Sequence, residues 1–244
     1  MGLLAVVGFA LLTMPVYAAR AAGRGPDPLE SPDRGSFVLG SFVRDWFYWF
    51  IFPVEGASLA LGLSPLFFNL AGVAFGVAAG VAFGAGWTVA GGWAVLLGGV
   101  ADVLDGRVAR ARGLASPRGA FLDSSLDRFA EVGAFVGLAY GFRSSGVALV
   151  LVVAALGGSL LVSYTRARGE SLGVLCKLGV MQRAERLLLL GFGGLLDPTL
   201  SGWLGRSEPG ALLVPVLGII AVGTVGTAIF RTVWIARRLP ARSD

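Results

Sequence analysis

Four aspartates stand close together in the middle of the chain, at Asp102, Asp105, Asp123 and Asp127. Residues three or four apart share one face of a helix, so each pair projects from a single helical face. Glycine, serine and proline within residues 113–119 predict a turn between the two helices. A helical hairpin would bring the four carboxylates together, where their like charges repel. The pattern therefore predicts a site for one or two hard divalent cations with oxygen ligands.

The rest of the composition limits what this site can be. The sequence contains no histidine, which excludes histidine bases and histidine metal ligands. Oxygen ligands favour Mg²⁺, Mn²⁺ or Ca²⁺ over Zn²⁺. The single cysteine, Cys176, allows no disulfide within the chain.

The elements that carry the site are predicted to lie in a membrane. Of the 244 residues, 55% are hydrophobic and only 14% are charged, against about 25% charged in a typical soluble domain. Residues 56–101 contain no charge, which is too long a run for one membrane span and suits two. The composition predicts an all-α integral membrane protein.

Six core transmembrane helices follow from the apolar runs. They are predicted at 65–84, from Thr88 into the acidic motif, and at 119–140, 144–164, 187–205 and 211–230, the fifth interrupted at Asp197-Pro198. Residues 38–56 mix aromatic and charged side chains and predict an amphipathic helix on the membrane surface. Residues 2–19 predict an extra N-terminal membrane helix, with a cleaved signal peptide as the alternative. We divide the chain into an N-terminal helix and linker, 1–37, and a membrane domain, 38–244.

Charge asymmetry predicts the orientation of these helices. Arg143 and Arg206 fall on one side of the membrane, and all the other basic residues fall on the opposite side or at its edge. Positive residues favour the cytoplasmic side, so the acidic hairpin should face the cytoplasm from the cell membrane. The net charge of +5 is then explained by anionic lipid headgroups, with no nucleic-acid partner.

The acidic motif resembles the signature of the CDP-alcohol phosphotransferase family. The match runs Asp102-x-x-Asp105-Gly106-x-x-Ala109-Arg110, eight residues, then Gly119-x-x-x-Asp123-x-x-x-Asp127. The resemblance implies an enzyme that transfers a phosphate-linked group from a CDP-linked donor and binds two Mg²⁺ or Mn²⁺ ions. It implies metal ligation by the four aspartates, with Asp127 also the general base that takes the acceptor's proton.

A donor-binding surface is expected on the same motif. We assign it to Asp102, Gly106, Ala109, Arg110 and Gly119. Small residues let a flat base or diphosphate approach the backbone, although small-residue helix packing is an alternative explanation for them. Arg110 has the charge and geometry to pair with phosphate. Arg107, Arg112 and Arg118 are expected to be ordinary positive residues at the membrane surface.

A second basic group resembles the phosphatidylinositol-phosphate synthase branch of the family. The segments are 163–170, SYTRARGE, and 182–187, QRAERL. In that branch these positions bind the phosphate of the incoming alcohol. The resemblance implies acceptor binding by Ser163, Arg166, Arg168, Arg186 and Arg231. Charge that merely faces lipid headgroups is the alternative.

The sequence thus predicts transfer of a phosphatidyl group from CDP-diacylglycerol to a polar alcohol, with inositol 1-phosphate or a similar molecule as the best candidate. Family members that use glycerol 3-phosphate, serine or a CDP-linked headgroup are the runner-up. A cation transporter is the rival from another class, but transporter sites lie near the membrane midplane. The resemblance also implies a homodimer in the lipid bilayer.

Overall fold

The computed structural model of the protein describes residues 2–21, 40–205 and 209–240. These residues form eight helices, each at a place where the sequence predicts one. They are α1 (Gly2–Ala21), α2 (Gly40–Ala60), α3 (Pro65–Gly84), α4 (Thr88–Ala111), α5 (Pro117–Gly141), α6 (Gly146–Ser171), α7 (Arg183–Trp203) and α8 (Leu213–Ala236). The all-α fold class is therefore confirmed.

Glycines allow α3 and α5 to touch backbone to backbone. A Cβ atom added at Gly76 would lie 2.5 Å from the carbonyl oxygen of Ala130, and one at Gly137 would collide with the carbonyl of Gly80. Small residues at four-residue spacing are the usual means of close helix packing in lipid. This contact fixes the distance between α3 and the helix that carries Asp123 and Asp127.

The remaining core helices pack in pairs. α6 packs along α8, and α4 packs along α7. At the α4–α7 contact, a Cβ at Gly92 would lie 2.5 Å from the carbonyl oxygen of Gly191. Large apolar side chains such as Phe135, Leu138 and Leu217 fill the space between the helices. Because α4 carries Asp102 and Asp105, its packing against α7 brings the start of α7 beside the acids.

Four of the helices are long and apolar enough to cross a membrane: α3, α4, α6 and α8, with mean hydropathies of 2.0, 1.3, 2.4 and 2.2. The protein is accordingly an integral membrane protein. α5 and α7 carry charged residues in their first halves, which lowers their hydropathy. That all six core helices cross the membrane remains a prediction.

Three predicted helix boundaries need correction. The fourth core helix continues to Ser171, the fifth begins at Arg183, and the sixth ends at Ala236. The predicted interruption at Asp197-Pro198 is also wrong, because α7 runs through it to Trp203. The basic residues assigned to the acceptor therefore lie on helices instead of in connecting segments.

Helix α2, which the sequence predicts to lie on the membrane surface, joins the N-terminal helix to the core. The indole nitrogen of Trp46 donates to the hydroxyl of Thr13 on α1 at 3.0 Å. The ring of Tyr17 lies 5.8 Å from that of Trp49, centroid to centroid. The predicted linker at 23–37, and with it the domain boundary after residue 37, lies outside the described residues.

Candidate active site

The turn between α4 and α5 is built from residues suited to ending one helix and starting another. Gly113 follows the end of α4 with φ +64°, a conformation that favours glycine. The Ser116 side chain accepts a hydrogen bond from the backbone N–H of Gly119 at 3.2 Å, and Pro117 occupies the first turn of α5. The helical hairpin predicted from the sequence is present.

The hairpin brings the acids together. Single oxygen atoms of Asp102, Asp123 and Asp127 lie within 4.8 Å of one another. Asp105 is buried next to Asp123, with 5% of its surface exposed. All four predicted ligands therefore converge, although their role in binding metal stays a prediction.

An arginine from α7 completes this cluster. The Nη1 atom of Arg183 forms ion pairs with Asp102 on α4 and with Asp127 on α5. Its positive charge offsets part of the repulsion between the carboxylates. Sequence reasoning missed Arg183, although it stands three residues before Arg186, a spacing that puts both on one helical face.

The donor set fits a divalent cation. The cluster offers carboxylate oxygens alone, the ligands that Mg²⁺ and Mn²⁺ prefer. The Oδ1 atom of Asp123 is buried and has no hydrogen-bond partner, so one oxygen is available for coordination. Asp102, Asp123 and Asp127 would hold the ion, with Asp105 beside them.

The predicted donor residues lie around the same helix end. A Cβ added at Gly106 would lie 3.1 Å from the Nη1 atom of Arg110, so the Arg110 side chain crosses the glycine. Arg110 itself is exposed. Gly119 uses its backbone N–H for the Ser116 cap. Ala109 is half-buried. Their contact with a donor remains a prediction.

Two arginines in the motif differ from the sequence-based expectation. Arg107 is only 3% exposed and forms an ion pair with the buried Glu55 of α2, so it is not an ordinary surface charge. Arg112 donates to the carbonyl oxygens of Leu59 and Gly62 at 3.2 and 3.1 Å. Neither set of contacts is visible in the local sequence, because the partners lie on α2 or just after its end, about 50 residues away.

A cleft next to the acids contains Arg186. The polar residues that line the cleft are Asp127, Glu131, Arg183 and Arg186, and the rest of its lining is glycine or apolar. Arg186 is 4% exposed, and its Nε atom donates to Glu131 at 2.9 Å. Its Nη1 atom is buried without a hydrogen-bond partner.

The contacts of the other predicted acceptor residues do not involve the four aspartates. Arg231 is 2% exposed and lies near Arg166 and Arg186, but it donates to the backbone carbonyls of Leu178 and Val162 at 2.8 and 2.9 Å. Arg166 pairs with Glu170 at 2.9 Å on an exposed face of α6.

Arg168 and Ser163 make local contacts on the same helix. Arg168 is exposed and contacts the Ser171 hydroxyl at 3.5 Å. The Ser163 hydroxyl donates to the carbonyl of Ser159 at 3.2 Å. Arg186 is thus the predicted acceptor residue that the fold places beside the acids, and the assignments of Arg166, Arg168, Ser163 and Arg231 stay predictions.

A family model describing CDP-alcohol phosphatidyltransferases matches residues 63–196, a range that includes every residue of the acidic motif. The chain belongs to the CDP-alcohol phosphatidyltransferase family. The predicted resemblance is confirmed, and the protein is a metal-binding membrane transferase of phospholipid synthesis. The alternative of a cation transporter finds no support.

Individual members of the family show which branch the chain resembles. It is 35% identical over 221 residues to a phosphatidylinositol phosphate synthase of Streptomyces avermitilis, covering 88% of both chains. It is 31% identical over 208 residues to an archaetidylinositol phosphate synthase of Methanothermobacter thermautotrophicus, covering 85% of this chain and 99% of the relative.

Solved structures of the Mycobacterium tuberculosis phosphatidylinositol phosphate synthase share the fold. The structure with CDP-DAG bound aligns with a TM-score of 0.66 and 26% identity over 79% of this chain and 97% of that one. The structure in complex with manganese and citrate gives a TM-score of 0.67 at 27% identity, covering 79% of this chain and 91% of that one.

Proposed function

We propose that this CDP-alcohol phosphatidyltransferase moves a phosphatidyl group from CDP-diacylglycerol to inositol 1-phosphate and releases CMP. The observation that carries the proposal is Arg186. A buried guanidinium group with an unpaired Nη1 atom lies in a cleft that also contains Asp127. A buried donor without a partner is costly, and a phosphate group in the cleft would satisfy it. The named relatives are synthases of phosphatidylinositol phosphate and archaetidylinositol phosphate, and these product names support a phosphorylated inositol as the acceptor.

The donor binds with its pyrophosphate at the metal site formed by the four aspartates. When bound, two Mg²⁺ or Mn²⁺ ions neutralise the pyrophosphate oxygens and favour departure of CMP. Asp102 and Asp105 on α4 and Asp123 and Asp127 on α5 supply the carboxylate oxygens. Arg110 extends over Gly106, where its guanidinium can pair with a donor phosphate.

The acceptor is held on the other side of Asp127. Arg186 binds the acceptor's phosphate in the cleft, and Asp127 takes the proton from the attacking hydroxyl. The hydroxyl oxygen then bonds to the phosphatidyl phosphorus as the bond to CMP breaks. Arg183 pairs with both Asp102 and Asp127, so its positive charge lies close to the donor's phosphate and to the acceptor's hydroxyl.

The enzyme is proposed to sit in the cell membrane with this site facing the cytoplasm, and to form a homodimer. The basic residues near the site support the orientation, because positive residues concentrate on the cytoplasmic side. Leu114, 53% exposed in the hairpin turn, is a suitable labelling position. A cysteine placed there should react only with reagents that reach the cytoplasmic face.

Crosslinking of the protein in vesicles, compared at low and high protein-to-lipid ratio, tests the dimer.

The decisive assay is CMP release from CDP-diacylglycerol by the purified enzyme in Mn²⁺ or Mg²⁺, with each candidate alcohol supplied separately. Inositol 1-phosphate should support turnover, and the lipid product should carry a second phosphate. Free inositol, serine and glycerol 3-phosphate should give little release. Asp127→Asn is the matched inactive control. Equal turnover with an alcohol that lacks phosphate would contradict the acceptor assignment.

A further inference from the structure

The interfacial helix α2 is connected to the motif helix α4 by a buried ion pair. The Nε atom of Arg107 donates to the carboxylate of Glu55, and the two side chains are 3% and 2% exposed. The ring of Tyr48 lies 5.1 Å from the Arg107 guanidinium carbon, close enough for a cation–π contact. We call this group, Glu55, Arg107 and Tyr48, the α2–α4 clamp.

The clamp lies within a larger contact between the same two helices. Ile51 and Leu104 are buried in a small apolar cluster beside it. Towards the C-terminal end of α4, Arg112 donates to the carbonyl oxygens of Leu59, in the last turn of α2, and of Gly62, just after that helix. α2 is therefore held to α4 both along its length and at its C-terminal end.

The clamp and the acids lie on different sides of α4. At 3.6 residues per turn, Arg107 is roughly 140° around the helix from Asp102. Asp105 and Gly106 immediately precede Arg107, yet they face the site. Any effect of the clamp on the reaction must therefore act through the position of α4.

A buried ion pair does something that an apolar contact does not. Apolar burial is non-directional, so an all-apolar contact would leave α4 free to rotate or slide slightly. A buried pair often adds little net stability compared with apolar packing, but its hydrogen bond has a required geometry. Such a pair defines how α4 is rotated relative to α2.

We propose that the Glu55–Arg107 pair is a positioning device that fixes the rotation of α4, so that Asp102 and Asp105 meet Asp123 and Asp127 in the geometry the metal needs. Glu55 and Arg107 are positioning residues, since neither faces the reacting atoms. The proposal rests on the proposed metal site, and its kinetic readout also uses the proposed donor, but the identity of the acceptor does not enter.

The test compares the Glu55→Gln variant with the wild-type enzyme. Both are first purified by size exclusion so that only folded protein is measured. Glu55→Gln keeps the side-chain size and removes the charge. Mn²⁺ affinity, measured by electron paramagnetic resonance without substrate, should fall roughly tenfold, and kcat should fall roughly tenfold to a hundredfold because small misplacements of reacting groups are costly. The donor's KM should rise, while the acceptor's KM should not change.

Asp45→Asn is the matched control. It removes the acid of an ion pair with the neighbouring Arg44 on the same helix, where the Asp45 side chain is 37% exposed. This variant should keep the wild-type Mn²⁺ affinity and kcat. Glu55→Asp keeps the charge but shortens the side chain, so it should fold and give an intermediate Mn²⁺ affinity.

Two outcomes would overturn the proposal. Folded Glu55→Gln with wild-type Mn²⁺ affinity and wild-type donor KM would mean that the pair contributes to folding alone. An equal loss in Asp45→Asn would mean that any lost charge on α2 has the same effect. If the wild-type enzyme did not use CDP-diacylglycerol, the proposed function would fail, but the Mn²⁺ comparison would still decide the role of the clamp. If Glu55→Gln did not fold, Glu55→Asp would decide it by the same measurement.

Discussion

Acids near the two ends of α7 are treated in opposite ways by the fold. Asp197 is completely buried, and its carboxylate accepts hydrogen bonds from the backbone N–H groups of Gly210, Leu212 and Leu213 at 2.8, 2.8 and 3.0 Å. These donors lie just before and at the start of α8, where helical N–H groups need partners. Asp197 is thus fully satisfied by the protein itself.

The acids at the other end of α7, roughly 20 Å away by helical rise, are not satisfied in this way. Asp102, Asp123 and Asp127 face one another, and Asp123 Oδ1 has no hydrogen-bond partner although it is buried. Arg183 pairs with Asp102 and Asp127, and the Nη2 atom of Arg128 lies 3.7 Å from Asp127, so these two arginines supply positive charge to the cluster. Asp105 of this cluster is 5% exposed and Asp197 is fully buried, so burial alone does not distinguish a site acid from a structural one. The distinction lies in whether the protein supplies enough donors.

Metal removal should distinguish the site acids at the start of α7 from Asp197 near its end most strongly. The site acids need an added cation, whereas Asp197 does not, so EDTA should abolish CMP release and leave the fold intact. Activity should return with Mg²⁺ or Mn²⁺. The measurement is CMP release and circular dichroism on the same sample. Full activity in metal-free buffer would contradict a metal-dependent site.

Asp127→Asn should have the next largest effect. The substitution keeps the side-chain size and removes the proposed base, so turnover should fall by roughly two to four orders of magnitude. The apparent melting temperature should change little. Bound donor, measured by equilibrium dialysis with labelled CDP-diacylglycerol in detergent, should largely survive because Asp102, Asp105 and Asp123 remain. Normal turnover would show that another group takes the proton.

Arg186→Gln should act on one substrate. Loss of a charge-assisted hydrogen bond of about 1.5 to 3 kcal/mol should raise the acceptor's KM roughly tenfold to a hundredfold. The donor's KM should stay the same. Initial rates measured against each substrate separately give both values.

Arg118→Gln provides the comparison for a charge lost from the exposed start of α5. It should leave both KM values unchanged. A shift of the donor's KM alone in Arg186→Gln would remove Arg186 from the acceptor site and weaken the case for a phosphorylated alcohol.

Asp197→Asn should have the smallest effect on catalysis. The amide keeps one acceptor oxygen but places an NH₂ group among backbone donors, which should lower the free energy of unfolding by about 1 to 3 kcal/mol. The rate per folded molecule should not change. Thermal unfolding and active-site titration distinguish the two quantities. A large loss of kcat in the folded protein would mean that this end of α7 also contributes to the reaction.

The helices and the acidic hairpin were predictable because their signals are local. Apolar runs broken by glycine and proline predicted seven of the eight helices in the described residues, and the mixture of aromatic and charged residues at 38–56 predicted α2. The spacing of the four aspartates predicted the hairpin. Boundaries were less certain where a helix continues past the apolar run. α6 carries Arg166 and Arg168 beyond the apolar stretch, so its end could not be seen from hydropathy alone.

Pairings between distant residues were decided only by the tertiary structure. In the sequence alone, nothing about the residue type distinguishes Asp127 from Asp197, or Arg107 from Arg118. What separates them is the set of donors and acceptors that other helices bring within hydrogen-bonding distance, such as Glu55 for Arg107. The sequence determined which chemical groups were present and on which helical face they stood. The packing of the helices decided which charges the protein neutralises itself and which it leaves for a metal or substrate, because that depends on contacts across 50 to 80 residues of chain.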